Sequence, residues 1–573
     1  MLGSLQEELS AKLDATLKKN VLIVALVAVV ASPAIGAPPP QGGGAVLESV
    51  KSAPPARESQ PRLEIEQPAR PALQLPQGVK VKVTALNFTG NSVFPTSVLR
   101  AQVASSLGLE LNFTELQALA DRITDYYRKQ GYPVARAYLP AQEIEHGEIE
   151  IAVIEGRYGK IHVNNQARLR GDAAAVLRGV KSGEVVYQPD LERGLLLLND
   201  LAGIDVTATL RPGEETGTTD LDMQLRDGPK ISGSIDADNF GSRYAGTYHG
   251  GLTLNLNNPF AIGDQISLRA VSSGESMWFG RLGYTAPIGD YGTKLGLAYS
   301  QLRYELGKDL SPLEIQGLAR ITSLSVQHPL VRSRGFNLYG QFGFDLKSIE
   351  ESFLGIVTSR DELRVGSLAI SGDKRLGQSA LTNYGLTLSL GSIDKNVTPG
   401  PSRVNLDSNF SKLALDVSHA QRLTDAFGLG VRLAGQISST ALVGAEQFSV
   451  GGPNGVRAYR QGAALGDEGY VASFELRWNP RGPVHESLGG RQWGDLVQWS
   501  LFVEAGEASV HDSLPGQDRS RQLRGAGIGL NLGLKDNFII KTSYAQPLGR
   551  DAPSSTAETT STGRFWMQAV KWF

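Results

Sequence analysis

From Pro229 to Phe573 the chain alternates apolar residues with small or polar ones at a period of two. Tyr384, Leu386, Leu388 and Leu390 are interleaved with Gly385, Thr387, Ser389 and Gly391; Ile266, Leu268 and Ala270 with Ser267 and Arg269; and 427–434 follows the same rule. Successive side chains of a strand point to opposite faces, so each segment carries one apolar face and one small or polar face. About sixteen segments fit the 344 residues from Lys230 to Phe573, roughly 21 residues for each strand with its connection. A soluble sandwich would place turns every ~8–12 residues. The longer interval predicts a transmembrane β-barrel of about sixteen antiparallel strands over 230–573, with uneven loops. The chain also ends in such a segment, and Phe573 suits a last strand that closes the seam.

Upstream the periodicity changes. Val81, Val83 and Ala85 alternate with polar residues. Pro95 opens a helix running to about Leu107, and Thr114 caps a second in which Leu116, Leu119, Ile123 and Tyr126 or Tyr127 recur at helical spacing until Gly131. Strands at 134–139 and 148–155 complete a β-α-α-β-β unit. The order repeats with a strand at 160–163, helices at 173–180 and 189–201, and strands at 205–210 and 219–225. Two tandem α+β modules are expected, at 79–157 and 158–229. Residues 38–78 are dense in proline and glycine, which excludes a long helix or a central strand. They read as a linker with room for one short helix at 45–52, marginal in water unless something holds it.

Composition narrows the function classes. A formal net charge of −2 leaves no nucleic-acid footprint, and the absence of cysteine removes disulfides, thiolate metal sites and cysteine nucleophiles. Lys18 and Lys19 precede an apolar run at 21–31 and a small-residue stretch to Ala37, so 1–37 reads as a secretory signal peptide. No nucleophile elbow, phosphate-binding loop or paired zinc histidines occur, and His485-Glu486 lacks a second histidine. Neither an enzymatic activity nor a cofactor is expected.

One loop stands apart. Residues 448–470 bring Gly451, Gly452, Pro453, Asn454 and Gly455 together before Val456, Arg457, Ala458 and Tyr459, a long hairpin loop aiming one cation. Its bland reading is a solvated loop with an incidental arginine. Barrel strands on both sides favour a loop folded into the lumen, where the arginine needs an acid. Alternation puts Phe502, Glu504 and Gly506 on the lumenal face of their strand, opposite Trp499, Leu501 and Val503. Glu475 is lumenal on the neighbouring strand and is the alternative partner.

These features together resemble the two-partner secretion transporters of Gram-negative outer membranes, the TpsB family of haemolysin/haemagglutinin secretion-activation type. That family joins two POTRA modules to a sixteen-stranded barrel. The resemblance covers roughly 80–573 and rests on Phe88-Thr-Gly-Asn-Ser-Val-Phe94, Tyr127 with Gly131-Tyr132, Ala137-Tyr-Leu-Pro-Ala-Gln142, Val153-Ile-Glu-Gly156, Val456-Arg-Ala-Tyr459 and Phe502-Val-Glu-Ala-Gly506. It implies that 441–467 folds inward and that Arg457 meets Glu504, which replaces the family's aspartate. Ala458, which replaces a glycine, implies a conventional backbone at the tip.

The resemblance also implies a function. POTRA modules in the periplasm would bind an unfolded exoprotein, a large β-helical adhesin or cytolysin, by strand addition at an open sheet edge. The candidate edge is Val134, Ala135, Arg136, Ala137, Tyr138 and Leu139. The barrel would export the exoprotein without ATP. Other partners would be outer-membrane lipid and the barrel assembly machinery. An assembly factor of the same superfamily is the alternative, against which a short array of two modules weighs. The family's plug helix would be weakly held or missing, because 45–52 is short and flanked by glycine and proline.

Overall fold

The computed structural model describes Val46, Val50 and residues 61–66, 80–167, 169–171, 173–397, 400, 402–403, 405–481, 493–513, 518–534, 537–549 and 563–573. The expected signal at 1–37 and most of the linker at 38–78 lie outside the described residues.

A strand the sequence did not suggest comes first: β1 (Arg62–Ile65) lies inside the proline-rich stretch. The first module follows with β2 (Lys80–Lys82), β3 (Ala85–Thr89), α1 (Thr96–Val103), β4 (Glu110–Asn112), α2 (Phe113–Lys129), β5 (Arg136–Tyr138) and β6 (Glu148–Ile154). Its sheet has the order β3-β6-β5. Helix α2 begins earlier than Thr114 would have it. Asn112 accepts from the Glu115 N–H at 2.9 Å while the Glu115 carboxylate accepts from the Asn112 N–H at 2.7 Å, a reciprocal cap that Thr114 does not make. Gly131, at φ +94°, ends it. Leu116, Leu119, Ile123 and Tyr127 form its buried face, packed on the sheet with Leu99 and Val103 of α1. Each such side chain contributes about 1.5–3 kcal/mol by leaving water.

The second module comprises β7 (Arg157–Asn165), a 3-10 turn at Ala173–Val176, α3 (Gln188–Asn199), β8 (Ile204–Pro212) and β9 (Thr218–Asp227). The helix expected at 173–180 is only that turn, and Gly179 at φ +80° follows it closely. Leu191, Leu195 and Leu198 of α3 cover the sheet at helical spacing. The sheet order is β1-β8-β9-β7, so the linker supplies its outermost strand. Proline on both sides of β1 is tolerated because the strand is short and lies at an edge.

The barrel strands are β10 (Ile231–Asp238), β11 (His249–Asn257), β12 (Gln265–Ser272), β13 (Met277–Ile288), β14 (Thr293–Glu305), β15 (Gln316–Arg332), β16 (Phe336–Phe353), β17 (Ile356–Leu376), β18 (Ala380–Ile393), β19 (Asn409–Arg422) and β20 (Phe427–Ser438). After a small ribbon of β21 (Phe448–Ser449) and β22 (Leu465–Gly466) come β23 (Glu468–Trp478), β24 (Val497–Ser509), β25 (Ser520–Leu534), β26 (Phe538–Pro547) and β27 (Arg564–Trp572). Sixteen antiparallel strands close on themselves, with β27 pairing β10 from Ser234↔Trp572 to Asp238↔Gln568. Phe573 and Gly233 exchange backbone hydrogen bonds at 3.0 and 3.1 Å at the end of that seam. Closure matters because a lipid-facing strand has no water to satisfy its backbone, so an open edge could not persist there.

The alternation sets what each face meets. Phe342, Leu368, Leu388, Leu413 and Ile437 are register partners across five consecutive strands, and all are exposed on the outer wall. Such a continuous apolar belt would be an aggregation surface in water and is the expected lipid face of a membrane barrel. Ser389, between exposed Leu388 and Leu390, is buried on the inside.

The second module docks on the barrel rim. Arg332 at the end of β15 grips the Asp200 carboxylate with Nε and Nη2, each at 2.7 Å, and Lys294 Nζ donates to the Asp200 carbonyl at 2.6 Å. The Arg334 N–H donates to Glu192 at 2.8 Å, and the Arg178 guanidinium lies 3.6 Å from the Tyr291 ring centre. A forked arginine–carboxylate contact constrains direction as well as distance.

Candidate functional site: the loop held inside the barrel

Between β20 and β23 the chain turns into the lumen. Val450, Val456, Ala458, Tyr459 and Ala464 form an apolar cluster with Val471, Phe502, Leu523 and Ala545 of the wall, so the tip is packed rather than solvated. Two wall glycines make the room. A Cβ on Gly506 would sit 2.6 Å from Val450 Cγ1, and one on Gly525 would sit 2.6 Å from the Ala458 Cβ. Ala458 itself is absent from the residues with positive φ.

Arg457 occupies the centre of this packing. Its backbone N–H donates to Glu504 Oε2 at 2.7 Å and its Nε to Oε1 at 2.6 Å, so one carboxylate holds both main chain and side chain. Nη2 reaches Glu475 Oε2 at 3.2 Å, and Glu475 is held in turn by Arg477 Nε at 2.9 Å. The guanidinium lies 3.3 Å from the centre of the Phe502 ring, and Trp566 Nε1 donates to the Arg457 carbonyl at 2.7 Å. The two acids that alternation offered as rivals are therefore brought to one arginine, with Glu504 making the closer, two-point contact. Only 3 % of the Glu504 side chain is exposed. Stripping one partner from so dry a pair costs about 3–5 kcal/mol, where a wet surface pair contributes ~0–1.

Two further anchors escaped the sequence reading. Glu446 sits on a 3-10 turn of the loop and takes Lys347 Nζ at 2.7 Å and Lys412 Nζ at 2.9 Å, from β16 and β19. Asp467, wholly buried, accepts from the Leu442 N–H (2.9 Å), Gln447 Nε2 (3.0 Å), Arg403 Nη1 (2.7 Å) and the His511 N–H (2.9 Å). Alternation marks Lys347 and Lys412 as lumenal, but no local pattern pairs them with an acid dozens of residues away.

Val46 and Val50 are helical and buried in one apolar cluster with Met277, Phe279, Leu302 and Tyr304 of the barrel interior. Flanking composition alone pointed to a plug weakly held or missing. The difference lies in the lumen, which offers these valines an apolar wall.

In the first module the candidate edge at 134–139 is shorter than expected, because only Arg136–Tyr138 forms a strand. Ala135 and Ala137 are buried beneath α2, and the Ala137 N–H donates to Thr124 Oγ1 at 2.9 Å. Part of that edge is thus already satisfied by the helix. Glu155 of the 153–156 run accepts from the N–H groups of Ser92 and Val93, each at 2.7 Å, from Tyr127 Oη at 2.9 Å and from Ser92 Oγ. Burial alone would raise its pKa, but these donors hold the carboxyl below the usual carboxylate range. Burial and the Glu155 carboxylate together push Tyr127 far up.

Comparison with known proteins agrees with this geometry. The profile of the family described as haemolysin secretion/activation protein ShlB/FhaC/HecB matches residues 217–532, and that of the ShlB-type POTRA domain matches 81–156. The heme/hemopexin transporter protein HuxB of Haemophilus influenzae is 26% identical over 515 residues, covering 87% of this chain and 88% of that one. The outer membrane transporter CdiB of Dickeya dadantii is 25% identical, covering 70% and 73%. Among solved structures, CdiB from Escherichia coli shares the fold with a TM-score of 0.64 at 22% identity, covering 88% of this chain and 93% of that one. A closed barrel with POTRA modules at its rim, an inward loop and a family profile spanning more than half the sequence lead to one assignment. The chain belongs to the ShlB/FhaC/HecB haemolysin secretion/activation family, the outer-membrane transporters of two-partner secretion.

Proposed function

We propose that this transporter takes an unfolded exoprotein from the periplasm through its POTRA modules and passes it outward without nucleotide, with Arg457 as the latch that keeps the inward loop in its working position. The observation that carries the reading is the arrangement of the lumen. The loop is fastened by separate ion-pair anchors at Arg457, Glu446 and Asp467, while the POTRA modules are clamped at the mouth through Asp200 and Arg332. A passive porin has no use for such a periplasmic clamp. Strand addition suits an unfolded client, because backbone hydrogen bonds bind it with little demand on sequence. A large β-helical adhesin or cytolysin is the client class proposed.

The test is reconstitution. Purified protein in liposomes, given a candidate β-helical exoprotein in unfolded form on the POTRA side, should protect that exoprotein from external protease without ATP. A requirement for nucleotide on the POTRA side would sink the energy-independent reading, and no transport of the exoprotein at all would sink the secretion reading.

A further inference from the structure

The apolar belt on the outer wall of the barrel ends along a line that can be followed strand by strand. The end where Arg332 and Arg334 meet the second module is the periplasmic one, so the far end of each strand faces outward. Going outward, Leu324 of β15 is followed on the same face by Thr322, Leu346 of β16 by Ser348, Leu390 of β18 by Ser392 and Leu413 of β19 by Ser411. On β17, Leu368 is followed by Gly366 and then by Arg364, which is exposed. Across these five strands the boundary therefore carries four hydroxyls and one charge. Among the described residues the Arg364 side chain has no ion pair or hydrogen bond. The acids on this face stand further out: Glu362 two positions beyond it, and Glu350, which takes Arg360 at 3.1 Å and lies 3.9 Å from Arg320.

Beside Arg364 the wall is hollow. Phe344, Gly366 and Leu390 are register partners on β16, β17 and β18, and with Arg364, Ser392 and Ser411 they line a groove of about 570 Å³ open to the lipid side. Phe344 and Leu390 are exposed and form its apolar sides, with Gly366 as its floor. A Cβ on Gly366 would meet nothing nearer than the Leu390 carbonyl oxygen at 3.9 Å, so the packing of the protein does not itself require the hollow. We propose that this groove binds a phosphorylated, acylated glycolipid of the outer leaflet, a lipopolysaccharide, with a lipid phosphate on Arg364 and one acyl chain laid over Gly366 between Phe344 and Leu390. The guanidinium fork matches a phosphate, and the neighbouring serine hydroxyls can bond the sugar to which the phosphate is attached. An arginine without an acid at the edge of the hydrocarbon is costly, and an anionic headgroup at that level complements it. Height selects the leaflet, because the site lies outward of the belt, away from the periplasmic rim held by Arg332.

The experiment titrates the full chain, in nanodiscs of phosphatidylethanolamine, with fluorescent lipid A carrying its phosphates, with the same lipid dephosphorylated, and with phosphatidylglycerol. Arg364→Ala should weaken binding of the phosphorylated lipid about fivefold, the scale of one cation at an anionic surface, and Arg364→Glu by more than about tenfold. Lys374 is an exposed cation on the same face of β17 near its periplasmic end, so Lys374→Ala should leave binding unchanged. Gly366→Leu fills the groove without touching a charge and should weaken binding several-fold while the preference for the phosphorylated lipid persists. Each variant is first checked for the heat-modifiable migration of a folded barrel. Equal binding by Arg364→Ala and the unaltered chain, or an equal loss from Lys374→Ala, would overturn the assignment to Arg364. Unchanged binding by Gly366→Leu would overturn the groove. Phosphatidylglycerol bound as tightly as lipid A, with the same dependence on Arg364, would overturn the choice of lipopolysaccharide in favour of a phospholipid.

A second measurement reads position. The chain has no cysteine, so Ser392→Cys introduces a unique thiol beside Arg364, its register partner, for an environment-sensitive dye. Phosphorylated lipid A should shift the emission of that dye, and the dephosphorylated lipid should shift it at least fivefold less at equal concentration. The same dye on Lys374→Cys should not respond. Equal responses at the two positions would show that the lipid coats the barrel without a site and would overturn the proposal.

Discussion

Arg457 shows how much one side chain can carry when its surroundings are dry. Glu504 bonds both its backbone and its guanidinium, and Glu475 takes the remaining edge, so the loop tip is fixed in position and in orientation. Arg457→Ala and Glu504→Ala should each impair secretion in a co-expression assay while the barrel stays folded and heat-modifiable on gels, because sixteen paired strands do not depend on one lumenal pair. The double change should cost less than the sum of the two, with a coupling of about 1–3 kcal/mol if secretion is read as a free energy. Glu475→Ala should couple to Arg457 more weakly, since it makes one contact rather than two. Additive effects at Arg457 and Glu504 would show that the contact is a by-product of packing. At Glu155 the sign of the pH dependence follows from its lowered carboxyl pKa. Its stabilisation of the first POTRA module is complete above the unfolded carboxylate value of about 4.3 and is lost as pH falls through the lower folded value. Glu155→Gln should lower the module's thermal midpoint at neutral pH, by an amount equivalent to roughly 1–3 kcal/mol, and flatten its acid response.

At the scale of elements, the barrel wall and the loop are shaped to each other. Gly525 leaves the space that Ala458 fills, so Gly525→Val should push the tip off the wall without breaking the β24–β25 ladder. Planar-bilayer recordings should then show larger or noisier conductance with the folded barrel intact, and unchanged recordings would mean that the tip does not obstruct the pore. The 153–156 and 88–94 runs, quoted first as family signatures, have a physical role within this chain. Glu155 ties the start of the turn after β3 to α2 through Ser92, Val93 and Tyr127. The element the sequence hid is β1, because four residues between prolines carry too little pattern to announce a strand and gain their place from the edge of β8.

For the whole molecule, the Asp200–Arg332 pair is one of the contacts that hold the second module at the barrel mouth, beside Lys294, Arg334–Glu192 and Arg178–Tyr291. Asp200→Ala should broaden the distance distribution between spin labels placed on β9 and on a periplasmic barrel turn, and should reduce secretion while leaving both parts folded. A distribution as narrow as the original would assign the orientation to the other rim contacts. In the lumen, Val46→Asp with Val50→Asp places two charges in an apolar cluster and should raise conductance by freeing the segment. No change in conductance would show that these valines do not obstruct ion flow.

Alternation at period two determined the barrel, its approximate strand number and the lumenal side of Glu504 and Glu475, because a strand's facing is a local property that each residue carries with it. Helical spacing and glycine stops likewise made α2 and α3 legible to within a few residues, whereas the helix expected at 173–180 is only a 3-10 turn and the edge strand expected at 134–139 is three residues long. What only the tertiary structure decided are pairings between distant parts of the chain. Arg457 shared by two acids, Glu446 between two lysines, Asp467 at the base of the loop, Val46 and Val50 against the lumen wall, and β1 on β8 all join residues tens to hundreds of positions apart. Such contacts depend on barrel closure and register, which bring lumenal faces together without leaving a mark in any one segment. The shared arginine is the plainest case: alternation could place both acids inside, but the distance from each to the loop tip exists only once β23 and β24 stand side by side.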